Sequence, residues 1–296
     1  MTSDNIKNMT SYSEEIINYY SSSQWLYGLL CYTKDTLGMH FGFWNQNTKN
    51  RQKAILNENQ AIIDITKIKK GQKILDAGCG VGGTAIYIAE KTHAKVWGIS
   101  IDPNQIRLAK KYAWQRGVAS LTDFRIKDFT KTNFKNNFFD VVYGIESICH
   151  AYPKSAFLKE AYRILKPGGK LIIADGYTSR KPKTPLEKDI VKKFTHAFAL
   201  KELIPSQEMT KAIREAGFIN IKAFDKAESV APTVKIFYDK ARIFALPAKL
   251  VSIIPFPIFQ APFRNIVALK MAGEASKTGL WAYFLHSADK PKIIKG

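Results

Sequence analysis

Three stretches of the chain place reactive side chains at spacings that could do chemistry. The first is Asp76-Ala77-Gly78-Cys79-Gly80-Val81-Gly82-Gly83. Glycines at this density allow a tight turn and let a ligand approach the backbone, and a helix opening after them offers unpaired N–H groups. Gly78, Gly80 and Gly83 satisfy the spacing GxGxxG, so the glycines leave NAD and other nucleoside ligands open. The second is Glu146 with His150, an acid and a base four residues apart. On a helix the two would share a face, and together they could shelter a positive charge and then move a proton. The third is aromatic: Tyr19-Tyr20, Trp25, Tyr27 and His40-Phe41-Gly42-Phe43-Trp44. Aromatic faces stabilise cations, and such a stretch also serves as core.

The elements that must position these groups are legible from residues 73 to 176. Lys73 to Gly78 is a short apolar run ending in glycine, and Gly83 to Lys91 follows with helical spacing. Lys95 to Ser100 reads as the next strand, and Asp102-Pro103 opens a helix with an acid at the cap and proline in the first turn. Asp123 to Lys127 and Phe139 to Ile145 are two more strands, Ser155 to Leu165 a helix, and Lys170 to Gly176 a fifth strand after the turn Lys166-Pro167-Gly168-Gly169. Strands alternating with helices in this way imply a parallel sheet covered on both faces. Further on, helices are expected over Pro185 to Leu203 and Ser206 to Gly217, then a strand from Phe218 to Phe224. Residues 231 to 277 read as helical with interruptions at Pro247, Pro255, Pro257 and Pro262, before a last strand from Leu280 to His286. That insertion is placed to cap a ligand cleft, with Phe194, Phe198, Phe237, Tyr238, Phe244, Phe256, Phe259 and Phe263 to line it or to form its core.

Composition bounds the function classes. The 296 residues are 46% hydrophobic, enough to bury a core and too many for a disordered chain. Lys and Arg number 45 against 25 Asp and Glu, a net charge of +20. Residues 179 to 296 hold 21 of the bases and 10 of the acids, so the excess concentrates there. Net charge speaks to partners rather than to fold, here nucleic acid or an anionic membrane face. Cys31, Cys79 and Cys149 are odd in number and far apart, which argues against disulfides and against a cysteine-held metal site. The polar N-terminus lacks the apolar core of a secretory signal, so a cytoplasmic location is expected. The longest uncharged run near the C-terminus, Leu250 to Phe263, holds three prolines in 14 residues, whereas a membrane-spanning helix needs about 20 apolar ones.

Taken in order, ILDAGCGVGG, GISIDPNQIRLAKKYA, KDF and FDVVYGIESICHAYPKSAFLKEAYRILKPGGKLIIAD resemble the class I S-adenosylmethionine (SAM) dependent methyltransferase family over residues 72 to 176. GISxxxxQ and the ES...H segment are similar to sterol and tocopherol C-methyltransferases and to small-molecule O- and N-methyltransferases of the same branch. The resemblance implies an α/β fold, a Rossmann-like seven-stranded and mainly parallel sheet in the order 3-2-1-4-5-7-6. It divides the chain into an N-terminal helical, aromatic lid segment (1–60), a SAM-binding core (61–178), and a helical substrate cap with the last two strands (179–296). It also implies SAM as cofactor, with Asp76, Gly78, Cys79 and Gly80 around its methionine part and Ser100, Ile101 and Gln105 near its ribose. Asp128 and Phe129 would hold its adenine, and Tyr19 and Ile145 join the cofactor contacts. Ser100 stands where an acid is common in the family, and one hydroxyl cannot grip two ribose hydroxyls as a carboxylate does. Glu146 and His150 fall where the family places substrate contacts and would be the catalytic pair, while Tyr20, His40 and Trp44 would touch the substrate. Ser21 follows the tyrosine pair where Asp is common.

The expected activity is methyl transfer to a small or lipid-like acceptor, an isoprenoid, sterol-type or quinol-like carbon, with an amine or hydroxyl acceptor as the alternative. A nucleic-acid methyltransferase is disfavoured because Ile145-Glu146-Ser147 stands in place of [DNS]PP[YF] and no Pro-Cys pair occurs. An NAD oxidoreductase is disfavoured by Ser100, and a non-catalytic lipid carrier is the non-enzyme rival. Basic side chains beside apolar, proline-broken sequence suit transient contact with an anionic membrane.

Overall fold

The computed structural model of the protein describes residues 11–30, 32–33, 35–251 and 257–292. Among the residues singled out above, Cys31, Pro255 and Phe256 lie outside it, as do the side chains of Tyr27, Phe244, Pro247, Pro257, Phe259, Pro262 and Phe263.

Two helices, α1 (Ser11–Leu30) and α2 (Arg51–Thr66), precede the first strand. Then follow β1 (Lys73–Ala77), α3 (Gly83–Thr92), β2 (Lys95–Ser100), α4 (Pro103–Gln115), β3 (Thr122–Ile126), β4 (Phe139–Ile145), α5 (Lys154–Ile164) and β5 (Leu165–Thr178). The remainder is α6 (Pro185–Ala197), α7 (Ser206–Glu215), β6 (Ile219–Asp225), α8 (Ala227–Val251), α9 (Pro257–Lys277) and β7 (Trp281–Asp289). The strands form one sheet in the order β3-β2-β1-β4-β5-β7-β6, the order that the family resemblance implies. β7 runs antiparallel to both its neighbours, β5 and β6.

Adjacent apolar residues in the central strands explain why the sheet is a middle layer. Side chains alternate faces along a strand, so Ile74 and Leu75, or Ile172 and Ile173, can all be buried only if both faces are covered. Ile74 and Ile172 pack with Ile62 of α2, Ile86 of α3 and Ile106 of α4. Leu75 and Ile173 pack with Phe157 and Leu158 of α5 and Ile213 of α7. Each such side chain contributes roughly 1.5–3 kcal/mol by leaving water.

Local signals set most helix ends. Asp102 caps α4, accepting from the Asn104 N–H at 2.8 Å ahead of Pro103. Thr184 and Glu187 form a reciprocal capping box at the start of α6. Three expectations need correction. The helix expected to reach Leu203 stops at Ala197, because Ala199 takes a left-handed φ of 53° and sends its N–H back to His196 O. The turn expected at Lys166 to Gly169 is absorbed into β5 as a bulge. Phe139 pairs with Leu165 and Val141 with Lys170, and the main chain of Lys290, just past β7, bonds to both Gly168 and Gly169. Pro247 and Pro262 fall inside α8 and α9, and Pro257 begins α9.

Candidate active site

Loops at the carboxyl ends of the parallel strands, together with α1 and the strap of residues 35–44, enclose a cavity of about 900 Å³. Open α/β sheets place ligands at this edge, where strand order reverses between β1 and β4. Asp76, Gly78, Cys79, Gly80, Ser100, Ile101, Gln105, Asp128, Phe129, Ile145, Glu146, His150, Tyr19, Tyr20 and His40 all line it. Trp44 does not. Its indole Nε1 donates to Thr233 Oγ1 at 2.8 Å and its N–H to Ser229 O, so it anchors the strap to α8.

The glycine loop carries the strongest backbone demand. Gly78 has φ 96°, and a Cβ there would collide with the Ser147 side chain, whose hydroxyl donates to Ala77 O at 2.6 Å. At Gly83 a Cβ would lie 2.8 Å from the Leu37 carbonyl carbon, so the strap rests directly on the loop. Gly78→Ala combines left-handed strain with overpacking and is expected to destabilise the protein by roughly 3 kcal/mol. Thermal unfolding should show the loss, whereas an unchanged midpoint would contradict the packing described.

Asp76 ends β1 almost fully buried. Its Oδ2 accepts from the Tyr143 hydroxyl at 2.8 Å, while Oδ1 takes no hydrogen bond among the described residues. Burial raises its pKa to about 7, and the Tyr143 bond opposes that rise. A buried carboxyl with an unused oxygen on a cavity wall is matched to a cationic ligand group. The neighbouring Cys79 thiol is pushed well up by burial and then by the Asp76 charge, so it stays protonated and unreactive.

At the next strand end, Ser100 Oγ donates to Gln105 Oε1 at 2.7 Å, with both residues buried. Asp102, read from sequence as a helix cap only, also lines the cavity and accepts from Ser21 Oγ of α1 at 2.9 Å. The serine that replaces the usual acid after the tyrosine pair thus meets an acid supplied by β2's loop. Asp128 Oδ1 accepts from the N–H and hydroxyl of Thr130, both at 2.7 Å, and Phe129 packs edge-on against Phe157.

Glu146 and His150 both line the cavity, though not on a shared helix face. Glu146 has φ 47°, and a single 3-10 turn, Ile148–His150, follows it. Burial, then repulsion from Glu58, raises the Glu146 pKa well above that of a free carboxyl. His150 Nε2 lies 2.9 Å from the Tyr20 hydroxyl. Burial chiefly, and Lys154 next, lower its pKa to about 4, against an opposing contribution from the Ala199 carbonyl. Above that value His150 is a neutral imidazole able to accept a proton. His40 Nδ1 lies 2.7 Å from Glu58 Oε2. Tyr19 donates its hydroxyl to Asn265 of α9 at 2.6 Å, and Asn265 reaches Ser23 at 2.7 Å, which ties α1 to α9. Phe198 and Phe237 of the cap line the cavity, whereas Phe194 lies in the core and Tyr238 hydrogen-bonds to Glu274.

A glycine loop, an acid at the first strand end and a polar second strand end around one cavity define a Rossmann-like nucleoside-ligand fold. The chain matches the methyltransferase domain family over residues 75–173, a likeness to the class I SAM-dependent methyltransferases. It is similar to 24-methylenesterol C-methyltransferase 3 of Arabidopsis thaliana, 33% identical over 64% of this chain and 53% of that one. It is also similar to phosphoethanolamine N-methyltransferase 3 of the same plant, 33% identical over 61% of this chain and 35% of that one. The chain thus spans about a third to a half of the length of these relatives. Among solved structures, the cyclopropane synthase MmaA2 from Mycobacterium tuberculosis superposes with a TM-score of 0.78 at 15% identity, covering 96% of this chain and all of that one, a likeness of fold.

Proposed function

We propose that the protein is a SAM-dependent methyltransferase that methylates carbon on a small, neutral, lipid-like acceptor of isoprenoid, sterol or quinol type. The observation that carries this reading is one continuous cavity joining the glycine loop and Asp76 to the Tyr20–His150 pair. SAM would supply an electrophilic methyl group on a sulfonium whose leaving group is a neutral thioether. The chain's own residues bind and orient. Asp76 receives the ammonium, Ser100, Asp102 and Gln105 face the ribose, and Phe129 packs on the base. The α1 helix and the strap exclude water, and alignment with exclusion supplies much of the rate enhancement.

The acid–base geometry favours a carbon acceptor. Adding methyl to an alkene leaves a carbocation, whose adjacent C–H is a strong acid, so a weak base suffices to remove the proton. His150, with a pKa of about 4, is such a base, and the Tyr20 hydroxyl carries the proton to its Nε2. A hydroxyl or ammonium acceptor would need a stronger one. Charge argues against a phosphorylated acceptor such as the phosphoethanolamine of the N-methylating relative. Among the described lining residues, Asp76, Asp102, Asp128 and Glu146 are acids and Lys240 is the one lysine or arginine, itself exposed.

Calorimetry with SAM, S-adenosylhomocysteine and NAD is expected to show binding of the two sulfur ligands only, and labelled methyl from SAM should enter the lipid fraction of a cell extract. Failure to bind either sulfur ligand would sink the proposal. In this reading the protein works from the cytoplasm at an anionic membrane face. Trp25 on the cavity wall is 49% exposed, and Ile243 on α8, adjoining Arg242 in sequence, is 70% exposed, apolar and basic side chains suited to drawing a lipid from a membrane. Binding to vesicles containing phosphatidylserine should exceed binding to neutral vesicles and fall with salt; equal binding would remove the membrane role.

A further inference from the structure

Beyond the cofactor loop, a fully buried carboxyl group and a half-buried one converge on one hydroxyl. Glu58 of α2 is fully buried, and Glu146 follows β4. The Tyr283 hydroxyl of β7 lies 2.9 Å from Glu58 Oε1 and 3.0 Å from Glu146 Oε1. A phenol has one proton to give. If it goes to one carboxylate, the other is left facing an oxygen lone pair, a costly arrangement away from water unless that second carboxyl carries a proton of its own.

The remaining donors decide where that proton rests. Glu58 Oε2 is 2.7 Å from His40 Nδ1 and 3.1 Å from the Gly42 N–H, whereas Glu146 Oε1 has only the Phe41 N–H, at 2.8 Å. With Tyr283 added, Glu58 faces three donors and is the better seat for the negative charge. The groups around Glu146 press the same way: Glu58 from α2 and Asp175 from β5 both oppose its ionisation, and burial does so more strongly than either.

We propose that Glu146, Tyr283 and Glu58 hold one proton in common that rests on Glu146, so that Glu146 meets the acceptor as a neutral acid and Tyr283 and Glu58 are the positioning residues that keep it so. In the resting arrangement Glu146 donates to the Tyr283 oxygen, and Tyr283 donates to the Glu58 carboxylate. A neutral Glu146 leaves proton acceptance to His150 and still holds the strap through Phe41. The inference deepens the proposed active site and rests on that reading only for its catalytic meaning, since its test uses no ligand.

Infrared difference spectra of the free protein at neutral pH provide the test. Wild type minus Glu146→Gln should show one protonated-carboxyl carbonyl band. Glu58→Gln should lower the pH at which that band is lost, because the Glu58 charge has gone and Tyr283 is then free to donate to an ionised Glu146. Glu58→Asp, which keeps the charge, should preserve the band. Should Glu58→Gln fail to fold, Tyr283→Phe should keep the band but move it to higher frequency, its hydrogen-bond acceptor having gone. Identical spectra for wild type and Glu146→Gln would overturn the proposal, as would a band insensitive to both Glu58→Gln and Tyr283→Phe.

Discussion

Asp76→Asn is expected to weaken SAM binding by more than about a hundred-fold, since leaving a buried charge without its partner costs roughly 3 kcal/mol or more. The substitution keeps the shape of the side chain and its contact with Tyr143, so the loss would report charge rather than packing. The wild-type protein should also show a characteristic pH dependence. Burial holds Asp76 at a pKa of about 7, so below that pH an incoming ammonium must displace a proton. Affinity should therefore fall about tenfold per pH unit on the acid side and level off above about pH 8. In the Asn variant this dependence should vanish. Calorimetric titrations across that range test both parts, and affinity within a few-fold of wild type in Asp76→Asn would refute the assignment. The free protein feels the opposite pull. A carboxyl whose folded pKa exceeds its unfolded one contributes stability that is present below about pH 4 and lost as pH rises through about 7. Stabilisation by SAM should accordingly be greatest at alkaline pH.

His150→Ala is expected to lower turnover by about 10²–10⁴-fold, the usual span for a positioned acid or base, while SAM affinity stays within a few-fold. Its partner is Tyr20 of α1, so Tyr20→Phe should lose turnover in the same direction by cutting the path to Nε2. The pH profile fixes the sign. With its pKa depressed to about 4, His150 is unprotonated through the neutral range. Turnover limited by this base should thus be flat near neutrality and fall only on the acid side, below about pH 5. Single-turnover rates with saturating SAM are the appropriate measurement. A profile that falls already near pH 6.5, as for an ordinary histidine, would place the base elsewhere.

The parts legible in the sequence were those written in consecutive residues. Runs such as KILDAG, KVWGIS and KLIIADG signalled buried strands through their apolar density, and glycines or Asp-Pro marked the turns between them. The loop after β1 was readable because close backbone approach demands glycine whatever lies opposite. What escaped were meanings that depend on distant partners. Tyr283 stands 225 residues from Glu58 and 137 from Glu146, so nothing local marks it as part of the site. Asp102 was recognisable as a helix cap, and its second contact, with Ser21, exists only because α1 folds over the sheet. Trp44 illustrates the reverse case. Its place in an aromatic run suggested a substrate contact, but an indole N–H near Thr233 bonds to it and leaves the cavity wall to Phe41 and His40.

The position of β7 has a consequence for how the molecule is made. The last strand in the chain lies between β5 and β6, so β6, although synthesised first, has no edge to join until residues 281–289 have left the ribosome. The same strand delivers Tyr283. A nascent chain that holds its first five strands still lacks the hydroxyl that joins Glu58 to Glu146. The residues proposed to hold the cofactor are thus translated before the hydroxyl proposed to keep the proton on Glu146, which arrives with β7.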